Sequence, residues 1–491
     1  MQKYFLTTPI YYVNDKPHIG HAYTTILADT ISRFRKLIGE SSFFLTGLDE
    51  HGLKVQQAAE RNKKSPQDHC DSMSPAFIDL WKKLNIDYDD FIRTTEKRHS
   101  QVVQHILSEV NNSGDIYIDE YEGWYSISEE RFITEKEVES GQFGDVKKLK
   151  EKNYFFKMSK YQEDLINKIQ NDELKIQPES RKNEVLSFLK NDLSDLCISR
   201  PKSRLEWGIE LPFDKDYVTY VWFDALINYI SSIGFSKDSD KFEEHWPAAV
   251  HLIGKDILTT HAVYWPTMLM SMNLPLPKRI FAHGWWLTDS KKMSKSLGNV
   301  VSPLSLIDDF GVDAVRYYLM SDMVLGMDAT FSSQSFEKKY NSDLANDFGN
   351  LVSRVSKLIE NNFDSKIPNF SKQESDLSKN FKKIELKNNL DELKIDKVID
   401  DIMNFVRSIN IYMERNEPWK LVKTDKDNAG NVLYHCAESL RLSAILLSPI
   451  MPTKTEKILE NIGCSDKSLK WGKLLSGSSL KTSEPIFPRI N

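Results

Sequence analysis

In the first 114 residues, short apolar runs typical of strands alternate with segments whose hydrophobic positions follow a helical period. The segment "KYFLTT" is a short apolar run that predicts a strand, and "SFFLTG" predicts a second strand ending at Gly47. Between them, Tyr23, Leu27 and Ile31 recur every four residues, which predicts one face of a helix. The same patterns predict helices at 52–61 and 66–84, a strand at Phe91–Thr94 and a helix ending near Asn112. Strands that alternate with helices favour a parallel sheet covered by helices on both faces.

The pattern changes twice further along the chain. Between Asp115 and Asp216, aromatic residues cluster among charged runs in "YEGWYSISEERF" and "NYFFKMSKYQ", which predicts an inserted domain. The alternation resumes in "YVTYVWF", "HLIG" and "RIFAHG", and from about Asn341 the periodicity is helical. The sequence therefore predicts an α/β fold with a doubly wound parallel sheet, an insertion, and an all-α helical bundle. The expected boundaries are 1–114 and 217–275 for the two halves of the sheet domain, 115–216 for the insertion, 276–340 for a linking segment and 341–491 for the helical domain.

Composition narrows the class of protein without identifying it. The 491 residues are 40% hydrophobic and 28% charged, which is ordinary for a soluble globular protein. No apolar run approaches the roughly 18 residues of a membrane span, so no membrane partner is expected. The N-terminus enters a predicted strand directly, without a targeting leader, which predicts a cytoplasmic location. A formal charge of −6 gives no general signal for nucleic-acid binding, so any basic surface must be local.

The stretch "HIGH", His18 to His21, lies where the first predicted strand gives way to the first predicted helix. In doubly wound sheets, ligands bind outside the carboxyl ends of the strands. Gly20 has no side chain, so a ring can lie against the backbone, and two imidazoles and a helix N-terminus can face a phosphate. Two surface histidines that flank a turn glycine are the alternative interpretation.

The stretch "KKMSKSLGN" concentrates positive charge in a chain of acidic balance. Lys292 and Lys295 are three residues apart, and the Gly298-Asn299 pair permits a loop that can move. Mobile lysines suit a transient phosphate contact, because they stabilise the charge that develops on a departing pyrophosphate. A solvated basic loop is the alternative, since most lysine clusters are solvated.

Together and in this order, the two stretches resemble the two signatures of class I aminoacyl-tRNA synthetases. Those enzymes use a Rossmann-type sheet to activate an amino acid with ATP and Mg²⁺, and then transfer it to the 3′ end of tRNA. The resemblance extends over nearly the whole chain and implies that the catalytic residues are His18, His21, Lys292 and Lys295. The ATP-binding residues that it implies are His18, Gly20, His21, Gly254, Lys255, Asp256, Lys292, Met293, Ser294 and Lys295. A strand-to-helix turn is the alternative for the "GKD" segment.

Further stretches resemble the methionyl-tRNA synthetases in particular, namely "TTPIYYVNDKPHIGHAYT", "FLTGLDEHG", "YVWFDALINYI", "HLIGKDI" and "NEPW". The methionine pocket that this resemblance implies is lined by Ile10, Tyr12, Trp222, Ala225, Leu226, Tyr229, Ile253, His261 and Trp265. An aromatic and aliphatic lining suits a long, polarizable thioether. Asp49 is expected to hold the substrate ammonium, and a helix N-cap is its alternative role. Core packing is the alternative for the two tryptophans.

The helical region carries a possible RNA site. Asn350 and Arg354 are four residues apart on one predicted helix, and Trp419 follows a proline in "NEPWK". The resemblance implies that these residues read the CAU anticodon of initiator and elongator tRNA(Met), with Trp419 stacked on an unstacked base. A solvated helix face is the alternative for Asn350 and Arg354, and helix-start packing is the alternative for Trp419.

The sequence departs from many members of the family in its cysteines. Zinc knuckles need four thiolate or imidazole ligands, but residues 115–216 contain one cysteine, Cys197, and no histidine. We therefore expect no structural zinc, as in the zinc-free bacterial and organellar branch, and we expect the aromatic cluster to stabilise the insertion instead. The extra tRNA-binding module that some relatives use for dimerisation is missing, so a monomer is expected.

Three alternatives remain to be weighed. A class I synthetase for a branched-chain amino acid would need a much larger editing insertion, and the cysteine enzyme would need zinc-binding thiols. A small-metabolite nucleotidyltransferase shares the H-x-G-H turn but lacks the helical domain. An inactive tRNA-binding paralogue would not need the intact histidines and lysines.

The expected reaction is in-line attack of the methionine carboxylate on the α-phosphate of ATP. Transfer of methionine to the tRNA follows, without a covalent protein nucleophile.

Overall fold

The computed structural model describes residues 3–126, 131–133, 135–141, 145–288, 291–292, 301–370, 375–481 and 484–490. Its strands, numbered in chain order, are β1 (Lys3–Thr7), β2 (Tyr11–Tyr12), β3 (Ser41–Asp49), β4 (Asp90–Arg93), β5 (Ile116–Ser126), β6 (Arg131–Ile133), β7 (Val146–Phe156), β8 (Lys175–Gln177), β9 (Leu196–Cys197), β10 (Ser199–Pro201), β11 (Glu210–Leu211), β12 (Asp214–Thr219), β13 (Ala249–Gly254), β14 (Arg279–His283), β15 (Trp286–Thr288), β16 (Lys291–Lys292) and β17 (Ala329–Phe331).

The α-helices, numbered in the same way, are α1 (Ile19–Leu37), α2 (Leu53–Arg61), α3 (Pro66–Lys83), α4 (Lys97–Asn112), α5 (Glu135–Glu139), α6 (Gln162–Gln170), α7 (Glu179–Phe188), α8 (Val221–Ala225), α9 (Asn228–Ser231), α10 (Ser239–His245), α11 (Trp265–Ser271), α12 (Pro303–Phe310), α13 (Val312–Ser321), α14 (Ser333–Lys339), α15 (Asn350–Asn362), α16 (Asp376–Phe381), α17 (Leu386–Asp391), α18 (Ile395–Asn416), α19 (Pro418–Thr424), α20 (Lys426–Leu447) and α21 (Pro452–Asn461). Short 3₁₀ helices occur at Met158–Tyr161, Trp246–Ala248 and Lys255–Ile257, and π-helical segments at Thr260–Tyr264 and Tyr340–Gly349. Within the described part of the chain, none of these helices is long and apolar enough to cross a membrane.

The chain forms two compact units. The first consists of Met1–Pro17, Glu40–Trp81 and Asp87–His283, and the second of His18–Gly39, Lys82–Ile86 and Gly284–Asn491. This division differs from the boundaries expected from the sequence, because α1 and the segment after His283 group with the helical region. Periodicity identifies a helix by its apolar face, but it does not say which other element covers that face.

A parallel sheet forms the centre of the first unit and confirms the predicted α/β class. Its strand order is β2-β3-β1-β13-β14-β8, and β4 also pairs with β3. Every pairing in this sheet is parallel, and Phe5 of β1 lies opposite Phe43 on one side and Ala249 on the other. The strands adjacent to β1 are thus β3 and β13, and their carboxyl ends carry Asp49 and Gly254.

Two strands of this sheet lie outside the halves that the sequence assigned to it. β8 belongs to the expected insertion but pairs in parallel with β14, with Ile176 opposite Ile280. β14 itself lies in the expected linking segment of 276–340. The 115–216 boundary therefore needs correction, because the chain returns to the main sheet near Lys175. A strand of three residues is too short to show a period of its own, so the sequence pattern concealed it.

The rest of the insertion forms two small antiparallel sheets, with strand orders β6-β5-β7-β9 and β10-β12-β11. Aromatic rings and arginines stabilise them. The guanidinium of Arg204 lies 4.2 Å from the ring centroid of Tyr125, and that of Arg200 lies 4.7 Å from the centroid of Tyr220. Such cation–π contacts contribute more when they are shielded from water, and Arg200 is buried. Among the described residues, no group of three or more His, Cys, Asp or Glu side chains could hold a metal ion.

A buried ion pair organises the second unit. Arg316 of α13 and Asp29 of α1 are fully buried, and Nη2 of the arginine lies 2.6 Å from Oδ2 of the aspartate. Its other N–H groups donate to the carbonyl oxygens of Leu84 and Ile450. A buried charge of this kind is tolerated because its hydrogen-bonding positions are occupied. The pair therefore anchors α1 to α13 and to the segment that precedes α21.

Candidate functional site

His18 is the N-cap of α1, in the second unit. Its Nδ1 accepts a hydrogen bond from the backbone N–H of Gly20 at 3.1 Å, and Nδ1 of His21 accepts one from the backbone N–H of His18 at 3.2 Å. The two imidazoles thus form a reciprocal capping box. Their rings stack with centroids 3.9 Å apart. A Cβ on Gly20 would lie 2.9 Å from Cε1 of His18, so glycine permits this stacking.

The capping box determines what these rings can offer a ligand. Since Nδ1 of each ring accepts a hydrogen bond, the ring proton lies on Nε2. Burial lowers the pKa of His21 well below its ordinary value, and the neighbouring imidazole of His18 is a second cause. His21 is therefore uncharged at neutral pH. The arrangement can supply Nε2–H donors and the positive end of a helix dipole to an anion, rather than an imidazolium charge.

Of the two predicted lysines, Lys292 lies in β16, whose backbone pairs with β15 so that Leu287 lies opposite Lys292. Met293, Ser294 and Lys295 lie outside the described residues. The indole of Trp286 in β15 packs against the ring of Tyr23 from α1, with centroids 6.0 Å apart. The strand that leads into the lysine segment is therefore anchored to the same helix that His18 caps. The roles of the lysines stay a prediction.

Asp49 is the last residue of β3, in the first unit. It lies opposite Tyr12 of β2, and its carbonyl oxygen accepts a hydrogen bond from the backbone of Val13 at 3.2 Å. The side chain is buried. The next helix begins at Leu53 with Gly52 as its N-cap, so the alternative of a helix cap for Asp49 is wrong. A buried carboxylate at the carboxyl end of a parallel strand can pair with an ammonium group.

Among the predicted pocket residues, Tyr229 contacts both His261 and Trp265. The Tyr229 hydroxyl donates to Nε2 of His261 at 2.8 Å, and Nδ1 of His261 donates to the carbonyl oxygen of Ile257 at 2.9 Å. The rings of Tyr229 and Trp265 lie 6.0 Å apart. Burial lowers the pKa of His261 to about 4, so the imidazole is neutral at pH 7. The three side chains form a buried, uncharged aromatic surface with polar tips.

Five of the six remaining predicted pocket residues belong to the hydrophobic core of the first unit or pack against it. Leu226 and Ile253 are members of that core, and Ile10, Tyr12 and Trp222 pack against it while partly exposed. Trp222 and Ala225 lie in α8, and Ala225 is buried. Trp265 is fully buried, as the core-packing alternative expects, whereas Trp222 keeps part of its indole accessible.

The predicted ATP segment of the first unit lies at the carboxyl end of β13. Gly254 ends that strand and is followed by a 3₁₀ turn at Lys255–Ile257. A Cβ at Gly254 would lie 2.6 Å from Oδ1 of Asp256, so a larger residue there would displace that carboxylate. The segment is a strand-to-helix turn, as its alternative interpretation states. It also occupies the position where doubly wound sheets bind nucleotides.

The sequence interpretation missed a buried charge network centred on Asp224 of α8. Its Oδ2 lies 2.6 Å from Nδ1 of His51, and its Oδ1 lies 2.7 Å from Nε2 of His99. Nδ1 of His99 continues to the Ser231 hydroxyl at 2.9 Å. Burial opposes ionisation of Asp224, but the two histidines outweigh it and lower its pKa to about 2. An acidic residue inside the apolar run "YVWFDALINYI" was the available signal.

We expect Asp224→Asn to lower the free energy of unfolding by about 2 kcal/mol at pH 6, because a buried charge-assisted network loses its charge. The folded pKa of Asp224 lies below that of an unfolded aspartate, so its contribution is complete above about pH 4 and is lost toward pH 2. The difference between wild type and variant should therefore shrink as the pH falls below 4. Urea unfolding followed by circular dichroism between pH 6 and pH 3 measures this.

Asp172→Asn is the matched control for this measurement. Asp172 is exposed and pairs with Lys182, whose hydrogen bond lowers its pKa. Exposed pairs contribute little to stability, so this variant should stay within about 0.5 kcal/mol of wild type at each pH. An Asp224→Asn variant that tracks the control across the pH range would show that the network does not stabilise the fold.

The predicted anticodon residues lie on two helices of the second unit. Asn350 begins α15 and is exposed, and Arg354 follows one turn later. Nη2 of Arg354 lies 2.5 Å from Oε1 of Glu414 in α18, and its guanidinium carbon lies 5.5 Å from the ring centroid of Trp419 in α19. The structure thus brings Arg354 and Trp419 into contact. A partly exposed indole beside a guanidinium suits an unstacked base.

The parallel sheet, the helix that the "HIGH" histidines cap and the helical region fit the class I aminoacyl-tRNA synthetases that the motifs resemble. The family model for tRNA synthetases class I (M) matches residues 4–142 and 139–356. A second model, for the anticodon binding domain of methionyl tRNA ligase, matches residues 367–490. The chain belongs to the methionyl-tRNA synthetases.

Relatives with this name are similar over nearly the full chain. The methionine–tRNA ligase of Clostridium acetobutylicum is 46% identical, covering 100% of this chain and 78% of the relative. That of Rickettsia prowazekii is 42% identical and covers 99% of both. Among solved structures, Mycobacterium tuberculosis methionyl-tRNA synthetase in complex with methionyl-adenylate has a TM-score of 0.95 at 38% identity, covering 100% of both chains. The apo form of that enzyme has a TM-score of 0.87 at 34% identity, covering 100% of this chain and 99% of that one.

Proposed function

We propose that this chain activates methionine with ATP, forming methionyl-adenylate and pyrophosphate, and then transfers methionine to the 3′ end of tRNA(Met). The observation that carries the proposal is that Tyr229 contacts both His261 and Trp265. These side chains are fully buried and uncharged at neutral pH, and aromatic rings suit a polarizable thioether. Asp49, buried at the end of β3, is the acceptor proposed for the substrate ammonium.

We propose that the "HIGH" turn and the lysines act on the phosphates. His18 and His21 present Nε2–H donors at the N-terminus of α1, and neutral donors stabilise charge that develops in a transition state. Lys292 and Lys295, with Met293 and Ser294 between them, are proposed to contact the phosphates of ATP. Gly254, Lys255 and Asp256 are proposed for ATP. Mg²⁺ enters as the counter-ion of the ATP phosphates, and no protein ligand is assigned to it.

The finer features of the proposal concern tRNA, zinc and assembly. Trp419 and Arg354, with Asn350, are proposed to bind the anticodon of both initiator and elongator tRNA(Met). Structural zinc is not expected, because burial raises the pKa of the Cys197 thiol and Nη1 of Arg200 lies 3.2 Å from its sulfur. A cytoplasmic monomer is proposed. The mass of the protein in solution tests the monomer, and its metal content tests the absence of structural zinc.

Methionine-dependent ATP–pyrophosphate exchange tests the proposed function directly. Exchange with methionine, and none above background with leucine, valine or cysteine, is the expected result. Charging of tRNA(Met) transcripts with CAU and with altered anticodons then tests the transfer step and the tRNA assignment. No exchange with any of the four amino acids would overturn the proposal and favour an inactive tRNA-binding protein or a nucleotidyltransferase.

A further inference from the structure

His251 is a fully buried histidine in β13 to which the proposed function assigns no role. Its Nε2 accepts a hydrogen bond from Nε1 of Trp265 at 3.2 Å, and its Nδ1 lies 2.8 Å from the hydroxyl of Thr7 in β1. The ring stacks on Tyr229 with centroids 4.1 Å apart at an interplanar angle of 28°. One imidazole thus contacts two aromatic residues of the proposed pocket, Tyr229 from its face and Trp265 from its edge.

The hydrogen bonds through this ring run in one direction. An indole can only donate, so Nε2 of His251 accepts from Trp265 and the proton of the neutral ring lies on Nδ1, which donates to Thr7. Tyr229 donates to His261, which donates to the carbonyl oxygen of Ile257. Because the Trp265 indole can only donate and the carbonyl oxygen of Ile257 can only accept, the proton positions in both sets of hydrogen bonds are determined.

This chain requires an uncharged His251. Burial lowers the pKa of His251 well below its ordinary value, and the neighbouring imidazole of His261 is a second cause. A protonated ring could not accept from Trp265, so the chain and the neutral state support each other. A histidine that merely fills the core would need one partner for each nitrogen, but it would not have to join the two rings that face the substrate.

We propose that His251 is a positioning residue for the methionine pocket, which holds the planes of Trp265 and Tyr229 so that the pocket fits methionine and rejects a longer side chain. The proposal rests on the proposed function, since it concerns the same pocket. His251 acts through the two rings and does not touch the substrate. Removing the acceptor for a buried indole N–H leaves that group unsatisfied, and Trp265 is then free to rotate.

His251→Phe tests the proposal, because phenylalanine keeps a ring against Tyr229 and removes both hydrogen bonds. In ATP–pyrophosphate exchange, the KM for methionine should rise about tenfold, which corresponds to roughly 1.4 kcal/mol, while the KM for ATP stays within about twofold. The ratio of kcat/KM for methionine over ethionine, which is one methylene longer, should fall about fivefold. This ratio does not depend on the fraction of enzyme that is folded, so a purely structural loss would not change it.

Two further variants make the result decisive. Thr7→Val keeps the His251 ring and its bond from Trp265 but removes the hydroxyl at Nδ1, and it should shift KM and the ratio in the same direction, by about threefold. His435→Phe replaces a buried histidine of α20 in the other unit and should leave the KM for methionine and the ratio unchanged. If His251→Phe does not fold, Thr7→Val decides on its own.

The outcomes separate the two proposals. A folded His251→Phe enzyme whose KM for methionine and ethionine ratio match those of wild type overturns the positioning role alone. Equal changes in His251→Phe and His435→Phe overturn it as well, because the effect would then not be specific to His251. A wild-type enzyme without methionine-dependent exchange overturns the proposed function and the positioning role together.

Discussion

A His18→Asn enzyme is expected to fold as stably as the wild type and to form methionyl-adenylate about a hundredfold more slowly. The oxygen of asparagine can occupy the place of Nδ1, accept from the N–H of Gly20 and keep the cap of α1. Asparagine has no counterpart of Nε2–H at the far side of the ring. Removing one preorganised donor to developing charge costs on the order of a hundredfold in rate or more.

Stability and chemistry are measured separately for this variant, by thermal unfolding and by the rate of ATP–pyrophosphate exchange at saturating substrates. His18→Ala should lose the same activity and, in addition, about 1 kcal/mol of stability, because the cap is gone. Ser375→Ala removes a different capping box, at the start of α16, and should reduce stability by a similar amount without slowing exchange. Full exchange activity in His18→Asn would show that the ring serves the helix and not the phosphates.

A Trp419→Ala enzyme is expected to lose about fiftyfold in kcat/KM for tRNA(Met) while its ATP–pyrophosphate exchange is unchanged. Stacking of a base on an aromatic ring contributes about 1–3 kcal/mol. The substitution also removes the ring against which the Arg354 guanidinium lies. Aminoacylation with varied tRNA concentration measures the loss, and exchange without tRNA serves as the internal reference.

Two arginines of the second unit, Arg354 and Arg415, provide a test variant and a matched control for the tRNA assignment. Arg354→Gln removes the charge beside Trp419 and should weaken charging of tRNA(Met) by about tenfold. Arg415→Gln removes an equivalent exposed charge from α18, where Arg415 pairs with Asp376, and should change charging by less than about twofold. Similar losses in both variants would mean that general charge attraction, rather than the Trp419 site, binds the tRNA.

The sequence predicted most elements of the sheet domain because each carries its own apolar period. The helices expected at 52–61 and 66–84 are observed as α2 and α3, and the strand expected at Phe91–Thr94 is observed as β4. The long helices α15, α18 and α20 were also predicted from their periodicity. Motif resemblance assigned the class and the family, and both comparisons with family models confirm it.

The chemical state of the site was not accessible from the motifs. The "HIGH" motif predicts two imidazoles near a phosphate, but it does not reveal that their Nδ1 atoms cap the helix and that His21 is uncharged. The same holds for Asp49, whose alternative role as a cap failed because α2 begins at Leu53. Protonation and capping depend on the local burial and on backbone geometry, which a motif does not encode.

By itself, the sequence determined which segments form helices and strands, which residue types are available for chemistry, and to which family the chain belongs. Only the tertiary structure decided that β8 joins the main sheet and that α1 groups with the helical region. It also decided that Asp224 meets His51 and His99, and that Thr7 meets His251 across 244 positions of the chain. Local periodicity reports the burial of each residue, whereas such contacts depend on which buried faces meet, and the whole fold determines that.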